Sequence, residues 1–172
     1  LDRGVPETMR QRRNVLYPTP TEGYGIAWVE YTPDGSYTVV VNGTAELDRR
    51  TEIAYGSESH GMAWDSPTSC LYLLITDDNG MHIAPLDCNG LTPITRAAYT
   101  TLSDLTAKDG RLYYGSIASG RDELHMYDLA AEREYRLSTS RYGSFQPVAL
   151  DSCRVVATTY DKRGYMPVTQ SV

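Results

Sequence analysis

Phenylalanine is all but missing from this chain: a single Phe accompanies 14 Tyr in 172 residues. Long helix-forming segments are missing too, with no run rich in Ala, Glu, Lys and Leu and no sustained apolar spacing of the kind that lays a stripe along a helix. Tyr suits a pleated, half-buried surface, so these two scarcities argue against a helical bundle and for β-structure, with 14 Gly and 9 Pro to supply turns. Positive charge is in deficit, 16 Lys and Arg against 22 Asp and Glu, for a net charge of −6 and a pI near 5.0. A nucleic-acid surface needs a basic stripe to displace counterions, so that class of partner is not expected. No run approaches the roughly 18 apolar residues of a membrane-crossing helix, and no membrane span is expected within these residues.

What is present is a repeat. Tyr55, Tyr99 and Tyr142 follow one another at intervals of 44 and 43 residues, each just after a strand-like segment. His82 and His125 are 43 apart, in Met81-His82-Ile83 and Leu124-His125-Met126. The triplets Leu71-Tyr72-Leu73, Leu112-Tyr113-Tyr114 and Val155-Val156-Ala157 recur at intervals of 41 and 43. A period near 43 built from short strands and turns is the mark of four-stranded propeller blades, typically about 40–50 residues each. One blade cannot bury both its faces, so neighbours must stack on it.

The expected fold is therefore all-β: a β-propeller of four-stranded antiparallel blades in a domain spanning 15–172, with blades near 24–56, 62–98, 104–141 and 147–172. Residues 1–14 carry Arg3, Arg10, Arg12 and Arg13 without apolar periodicity and read as a linker or tail. The chain begins at Leu1 and ends inside the last blade, which gives about three and a half blades. The expectation is a section of a longer chain whose remaining blades complete a ring of roughly six to eight.

In the first blade, residues 25–31 and 36–41 form a hairpin about Thr32-Pro33-Asp34-Gly35, where Pro presets its turn position and Gly is free to take positive φ. Residues 44–47 and 51–55 supply two more strands, and Val15-Leu16-Tyr17 an outer strand inherited from a preceding blade. The second blade uses 62–64, 71–76, 81–86 and 91–96, turning on Asp77-Asp78-Asn79-Gly80. The third uses 104–107, 111–116, 124–129 and 134–137, and the fourth 147–150, 154–160 and 165–168.

Thr32-Pro33-Asp34-Gly35, Lys108-Asp109-Gly110 read in the same blade position, and His125-Met126-Tyr127-Asp128-Leu129 followed by Glu134-Tyr135-Arg136-Leu137 resemble the TolB-like, WD-repeat-like propeller repeat. In that repeat a Pro-Asp-Gly turn joins the first two strands, and a Tyr-x-Asp-Leu strand precedes a basic-Leu-Thr strand. The resemblance covers residues 24–168. The segment Ser140-Arg141-Tyr142-Gly143-Ser144-Phe145-Gln146-Pro147 is similar to blade connections in large exported proteins of Bacteroidetes-type bacteria. Departures are Asp65-Ser66-Pro67-Thr68 and Asp151-Ser152-Cys153 in place of the glycine turn, and Ala84-Pro85 in place of Tyr-Asp. The resemblance implies a non-enzymatic binding or interaction scaffold in an exported protein, periplasmic or at the cell surface. Its partner would be a protein, a peptide or a polysaccharide. The alternatives are an accessory propeller gating a peptidase domain outside these residues, and a structural spacer.

Chemistry-bearing clusters are few. His60, His82 and His125 show none of the close pairs that metal sites use, and His82 and His125, being repeat-equivalent, belong on different blades. Asp77-Asp78-Asn79-Gly80 opens like a calcium loop, but Met81 and Ile83 stand where ligands belong and no Glu closes it. Gly56-Ser57-Glu58-Ser59-His60-Gly61 fits no nucleophile elbow. No catalytic residue, metal or cofactor is expected.

The site residues expected instead are Tyr55, Tyr99 and Tyr142, which occupy equivalent loops on one rim. Because every repeat has one, packing between blades is the preferred use, and contact with a ligand the alternative. Cys70 and Cys88 are candidates for a cross-strand disulfide. If the hairpin turns on the three residues Asp78-Asn79-Gly80, Asp77 faces Met81 and Cys70 faces Cys88; a two-residue turn shifts the register by one and sets Cys70 against Asp87. The oxidising compartment implied by the resemblance favours the bond, and Cys153 is then the odd thiol.

Overall fold

The computed structural model describes residues 14–42, 49–87 and 90–172. They hold 14 strands in four antiparallel sheets and no α-helix, with one short 3₁₀ turn at Glu22–Tyr24. The first sheet comprises β1 (Val15–Pro20), β2 (Ile26–Tyr31), β3 (Tyr37–Val41) and β4 (Arg49–Glu52); the second β5 (Glu58–Asp65), β6 (Cys70–Asp77) and β7 (Gly80–Pro85). The third comprises β8 (Leu102–Lys108), β9 (Arg111–Ser116), β10 (Glu123–Asp128) and β11 (Arg133–Arg136); the fourth β12 (Ser144–Asp151), β13 (Arg154–Asp161) and β14 (Gly164–Ser171). Each sheet is a meander. The first strands of successive sheets lie side by side, β1 by β5, β5 by β8 and β8 by β12, so the sheets radiate from a common axis as propeller blades do.

The sheets open at Val15, Glu58, Leu102 and Ser144, intervals of 43, 44 and 42, and this corrects the expected blade phase. Val15-Leu16-Tyr17 is not an outer strand inherited from another blade; it belongs to β1, the first strand of the first sheet. Thr32-Pro33-Asp34-Gly35 joins the second and third strands, the place that Asp77–Gly80 holds in the second sheet, whereas Lys108-Asp109-Gly110 joins the first and second. Pro-Asp-Gly chemistry serves any tight hairpin, so it does not report which pair of strands it connects. Residues 91–96 form no strand. Pro93 has no N–H to contribute, and the Ile83 amide donates instead to the Thr95 hydroxyl at 2.8 Å. The expected strand at 44–47 and the arginines of the tail lie outside the described residues.

Every first strand bulges at one repeat position, between Leu16 and Thr19, Ser59 and Gly61, Ser103 and Thr106, and Phe145 and Val148. Tyr17, Asp104 and Gln146 sit in these bulges with φ of 52°, 54° and 54°, and His60 sits in the remaining one. A bulge sharpens local twist, and its repetition bends each inner strand alike around the axis.

Strands covered on both sides are apolar throughout, as in Leu71-Tyr72-Leu73-Leu74-Ile75 of β6, all buried. One face packs Leu71, Leu73 and Ile75 against Ala27, Val29 and Val39; the other packs Tyr72 and Leu74 against Leu112 and Tyr114. Truncating the fully buried Leu73 to Ala costs about 2–5 kcal/mol. In β14 burial alternates residue by residue, with Tyr165, Pro167 and Thr169 exposed, because only one face of the fourth sheet is covered. β1 pairs with β2 alone and β14 with β13 alone, so the first and last sheets do not pair with each other among the described residues.

Polar ties supplement this packing. The fully buried Asp65 accepts from the Thr68 hydroxyl at 2.8 Å and from the Gly110 amide of the third sheet at 2.9 Å. Asp65 thus stabilises its own glycine-free turn and anchors the neighbouring one. Thr106, Lys108 and Arg111 donate in turn to the carbonyls of Pro147, Leu150 and Ser152 in the fourth sheet.

Candidate functional site: a tyrosine rim and the cleft behind it

Antiparallel meanders place the connections between sheets at the same end as the turns between second and third strands. Tyr55 lies between β4 and β5, Tyr99 between β7 and β8, and Tyr142 between β11 and β12, so all three occupy one rim. They do not pack between blades. Tyr55 is 90% exposed, Tyr99 88% and Tyr142 53%, which leaves most of each ring in solvent. Tyr99 donates its hydroxyl to the carbonyl of Asp78 at 2.6 Å, which props the ring against the turn of its own sheet. Tyr142 meets Tyr160 edge-on at 6.5 Å and carries the Arg141 guanidinium 5.2 Å from its ring centre.

Beside Tyr99 an open groove of about 720 Å³ runs between the second and third sheets, bordered by Gly80, Thr101, Ile117 and Gly120. Gly80 is required here: its φ is +110°, and a Cβ would lie 2.4 Å from the Ala98 carbonyl carbon. Met81, Ala98, Thr100 and Ala118 also line a second, deeper cleft of about 360 Å³, so groove and cleft are continuous.

The deeper cleft holds a group of linked polar side chains among apolar walls. Pairing across β9, β10 and β11 puts Tyr114, His125 and Arg136 in one row and Ser116 and Glu123 in the next, all facing the second sheet. Glu134 Oε1 accepts from the Tyr114 hydroxyl at 2.8 Å and lies 2.7 Å from His125 Nδ1. The hydrogen bond from His125 holds the Glu134 carboxyl below the usual range, against desolvation and with help from Tyr114; burial pushes the Tyr114 phenol well above its ordinary value. Glu123 is 1% exposed; its Oε2 is 3.5 Å from Arg136 Nη1, while Oε1 has no hydrogen-bond partner among the described residues, nor has the buried Thr100 Oγ1.

The equivalent cleft between the first and second sheets, about 330 Å³, is lined by Ile75, His82 and Leu91 together with Glu52, Ser57 and Asp77. His82 matches His125, but its strand partner Ile75 stands for Tyr114, Asp77 for Ser116, Gly80 for Glu123 and Leu91 for Glu134. His82 is 2% exposed and its Nδ1 has only the Gly80 carbonyl at 3.4 Å and Asp77 at 4.0 Å. Sequence reasoning placed the two histidines correctly on different blades and missed Glu123, Glu134 and Tyr114. The signal was there: laid over the second repeat, those residues break an apolar pattern.

The remaining candidates are not brought together. In Gly56-Ser57-Glu58-Ser59-His60-Gly61, Ser59 is buried while His60 is exposed, 3.9 Å from Glu58. Asp77 binds its own turn through the Asn79 amide at 2.8 Å. Among the described residues no group of three or more His, Cys, Asp or Glu is placed to hold a metal ion, and no helix is long and apolar enough to cross a membrane. The hairpin after β6 is the two-residue turn Asp78-Asn79, with Asp77 paired to Gly80; continued to its open end, this register sets Cys70 level with Asp87. Cys70 is a half-buried thiol that burial pushes up in pKa, and Cys88 lies outside the described residues.

The chain matches no protein-family model and no curated protein. Its fold is similar to that of TolB from Acinetobacter baumannii (TM-score 0.73, 12% identity, covering 92% of this chain and 41% of that one). It is also similar to puromycin hydrolase (TM-score 0.69, 12% identity, 92% and 27% covered) and to a chain of a nidogen/laminin complex (TM-score 0.53, 9% identity, 90% and 75% covered). At these identities the likeness establishes the propeller fold alone. The chain spans less than half the length of the first two.

Proposed function

We propose that this chain is a propeller section of an exported protein and acts as a non-enzymatic binding scaffold, presenting the tyrosine rim and its groove to a protein, peptide or polysaccharide. The observation that carries this reading is the exposure of Tyr55, Tyr99 and Tyr142: rings repeated in every inter-sheet loop yet left in water serve contact with something outside the domain. The open face of the fourth sheet, with Val148, Leu150, Tyr160 and Tyr165 exposed, fits cover by a further sheet of the same ring. Arrays of peptides and polysaccharides probed with the purified chain test the binding role. Ligands whose affinity drops at least tenfold in Tyr99→Ala support it; ligands indifferent to Tyr55→Ala, Tyr99→Ala and Tyr142→Ala combined overturn it.

A second reading, an accessory propeller that gates a peptidase, draws on the likeness to puromycin hydrolase. In a longer protein of that kind, deleting this section should broaden the size range of cleaved substrates. An unchanged range removes the gating role.

A further inference from the structure

We infer that the cleft between the second and third sheets is a saccharide site that takes one neutral, hydroxyl-bearing sugar residue of a polysaccharide lying along the tyrosine groove. The inference rests on the rim being a ligand surface and names the ligand's chemistry. Packing does not demand the polarity of this cleft. The repeat-equivalent cleft has Ile75, Gly80 and Leu91 at the positions of Tyr114, Glu123 and Glu134, and the same two-sheet geometry forms there without those three polar groups. Buried polar groups cost stability unless partnered, and here two of them, Glu123 Oε1 and Thr100 Oγ1, have no protein partner among the described residues.

The charges at the cleft select the ligand. Arg96 and Arg136 line it together with Glu134, and Glu123 lies behind Arg136. A cationic group entering meets the two guanidinium groups, and an anionic group meets the Glu134 carboxylate with Glu123 behind it. A hydroxyl both donates and accepts, so a neutral polyol can satisfy carboxylate oxygens, guanidinium N–H groups and the Thr100 hydroxyl at once. His125, its Nδ1 engaged by Glu134, has Nε2 left for a sugar hydroxyl. The volume of about 360 Å³ admits a single ring, and the continuous groove past Tyr99 leads the rest of the chain out.

The test is a glycan array bearing neutral, amino and uronic-acid oligosaccharides, followed by isothermal titration of the purified chain with the neutral oligosaccharide that binds. Neutral glycans should dominate. Tyr114→Phe combined with Glu134→Leu, which gives the cleft the leucine its counterpart has, should weaken binding at least tenfold with circular dichroism unchanged. Glu123→Gln, a change of shape in no atom position, should weaken it about threefold. Hits confined to amino or uronic-acid sugars, no glycan bound at all, or an affinity indifferent to both cleft variants overturns the site. A peptide ligand lost in Tyr99→Ala but untouched by the cleft variants leaves the rim standing and removes the saccharide. A neutral glycan lost in the cleft variants but untouched by Tyr99→Ala keeps the cleft and removes the rim.

Discussion

Two clefts at one repeat position, the first between the first and second sheets and the other between the second and third, share a histidine and differ in nearly everything around it. His82 is enclosed by Ile75 and Leu91 and reaches little besides a backbone carbonyl; His125 faces a carboxylate already bound to a tyrosine. The same backbone thus supports a cleft around a nearly unpartnered histidine in one place and a cleft around a linked Tyr–Glu–His group in the next. A repeat fixes where side chains meet and leaves open what they do there.

The sharpest way to break this comparison is at the position where one cleft has Gly80 and the other Glu123. Gly80→Ala forces a Cβ into the Ala98 backbone at a φ of +110°, and should cost at least about 3 kcal/mol in urea denaturation. Glu123→Ala removes a buried carboxylate whose partner Arg136 is half exposed, and should cost about 1 kcal/mol or less. Equal losses at the two positions would mean that the Glu123 cleft is a packing element after all.

Next in size is the tie at the opposite rim of the same two sheets. Asp65→Ala strands the Gly110 amide and frees the turn at Thr68, for an expected loss of about 2–3 kcal/mol, with Asp65→Asn recovering part of it. A loss under about 0.5 kcal/mol would show that packing alone holds the second and third sheets together.

Acid sharpens the contrast further. Because hydrogen bonding from His125 depresses the Glu134 carboxyl, the unfolded chain takes up that proton more readily than the folded one. The stabilisation is complete above the unfolded value of about 4.5 and is lost as pH falls through the lower folded value. Thermal midpoints of the native protein should therefore decline more steeply below about pH 4.5 than those of the Tyr114→Phe/Glu134→Leu variant. Parallel curves would show that the pair contributes nothing.

The smallest effect concerns thiols. With Cys70 level with Asp87, titration of the denatured, unreduced protein should count three cysteines, and in the folded protein exposed Cys153 should react ahead of half-buried Cys70. A count of one would establish a Cys70–Cys88 bond.

The strands, the period near 43 and the hairpin turns were legible in the chain because each is a local pattern: alternation along a few residues, turn chemistry within four, and echoes at a fixed interval. The phase of the blades was not legible. Thr32-Pro33-Asp34-Gly35 and Lys108-Asp109-Gly110 look alike and connect different strand pairs, and β1 was recognisable only once it paired with β2. The bulges are carried by Tyr17, His60, Asp104 and Gln146, four unlike residues, and the positive φ that Tyr17, Asp104 and Gln146 share comes from their place on the inner strand. The exposure of the tyrosines depended on how far their loops stand from the neighbouring sheet, which nothing local encodes.

By itself the sequence determined an all-β repeat and the rim on which its tyrosines lie, since periodicity and turn residues act over short stretches of chain. Only the tertiary structure decided that Tyr114, His125 and Glu134 share one cleft with Thr100 and Arg96, with Glu123 buried behind Arg136, because those side chains sit on separate strands and loops and meet only when two sheets stack face to face.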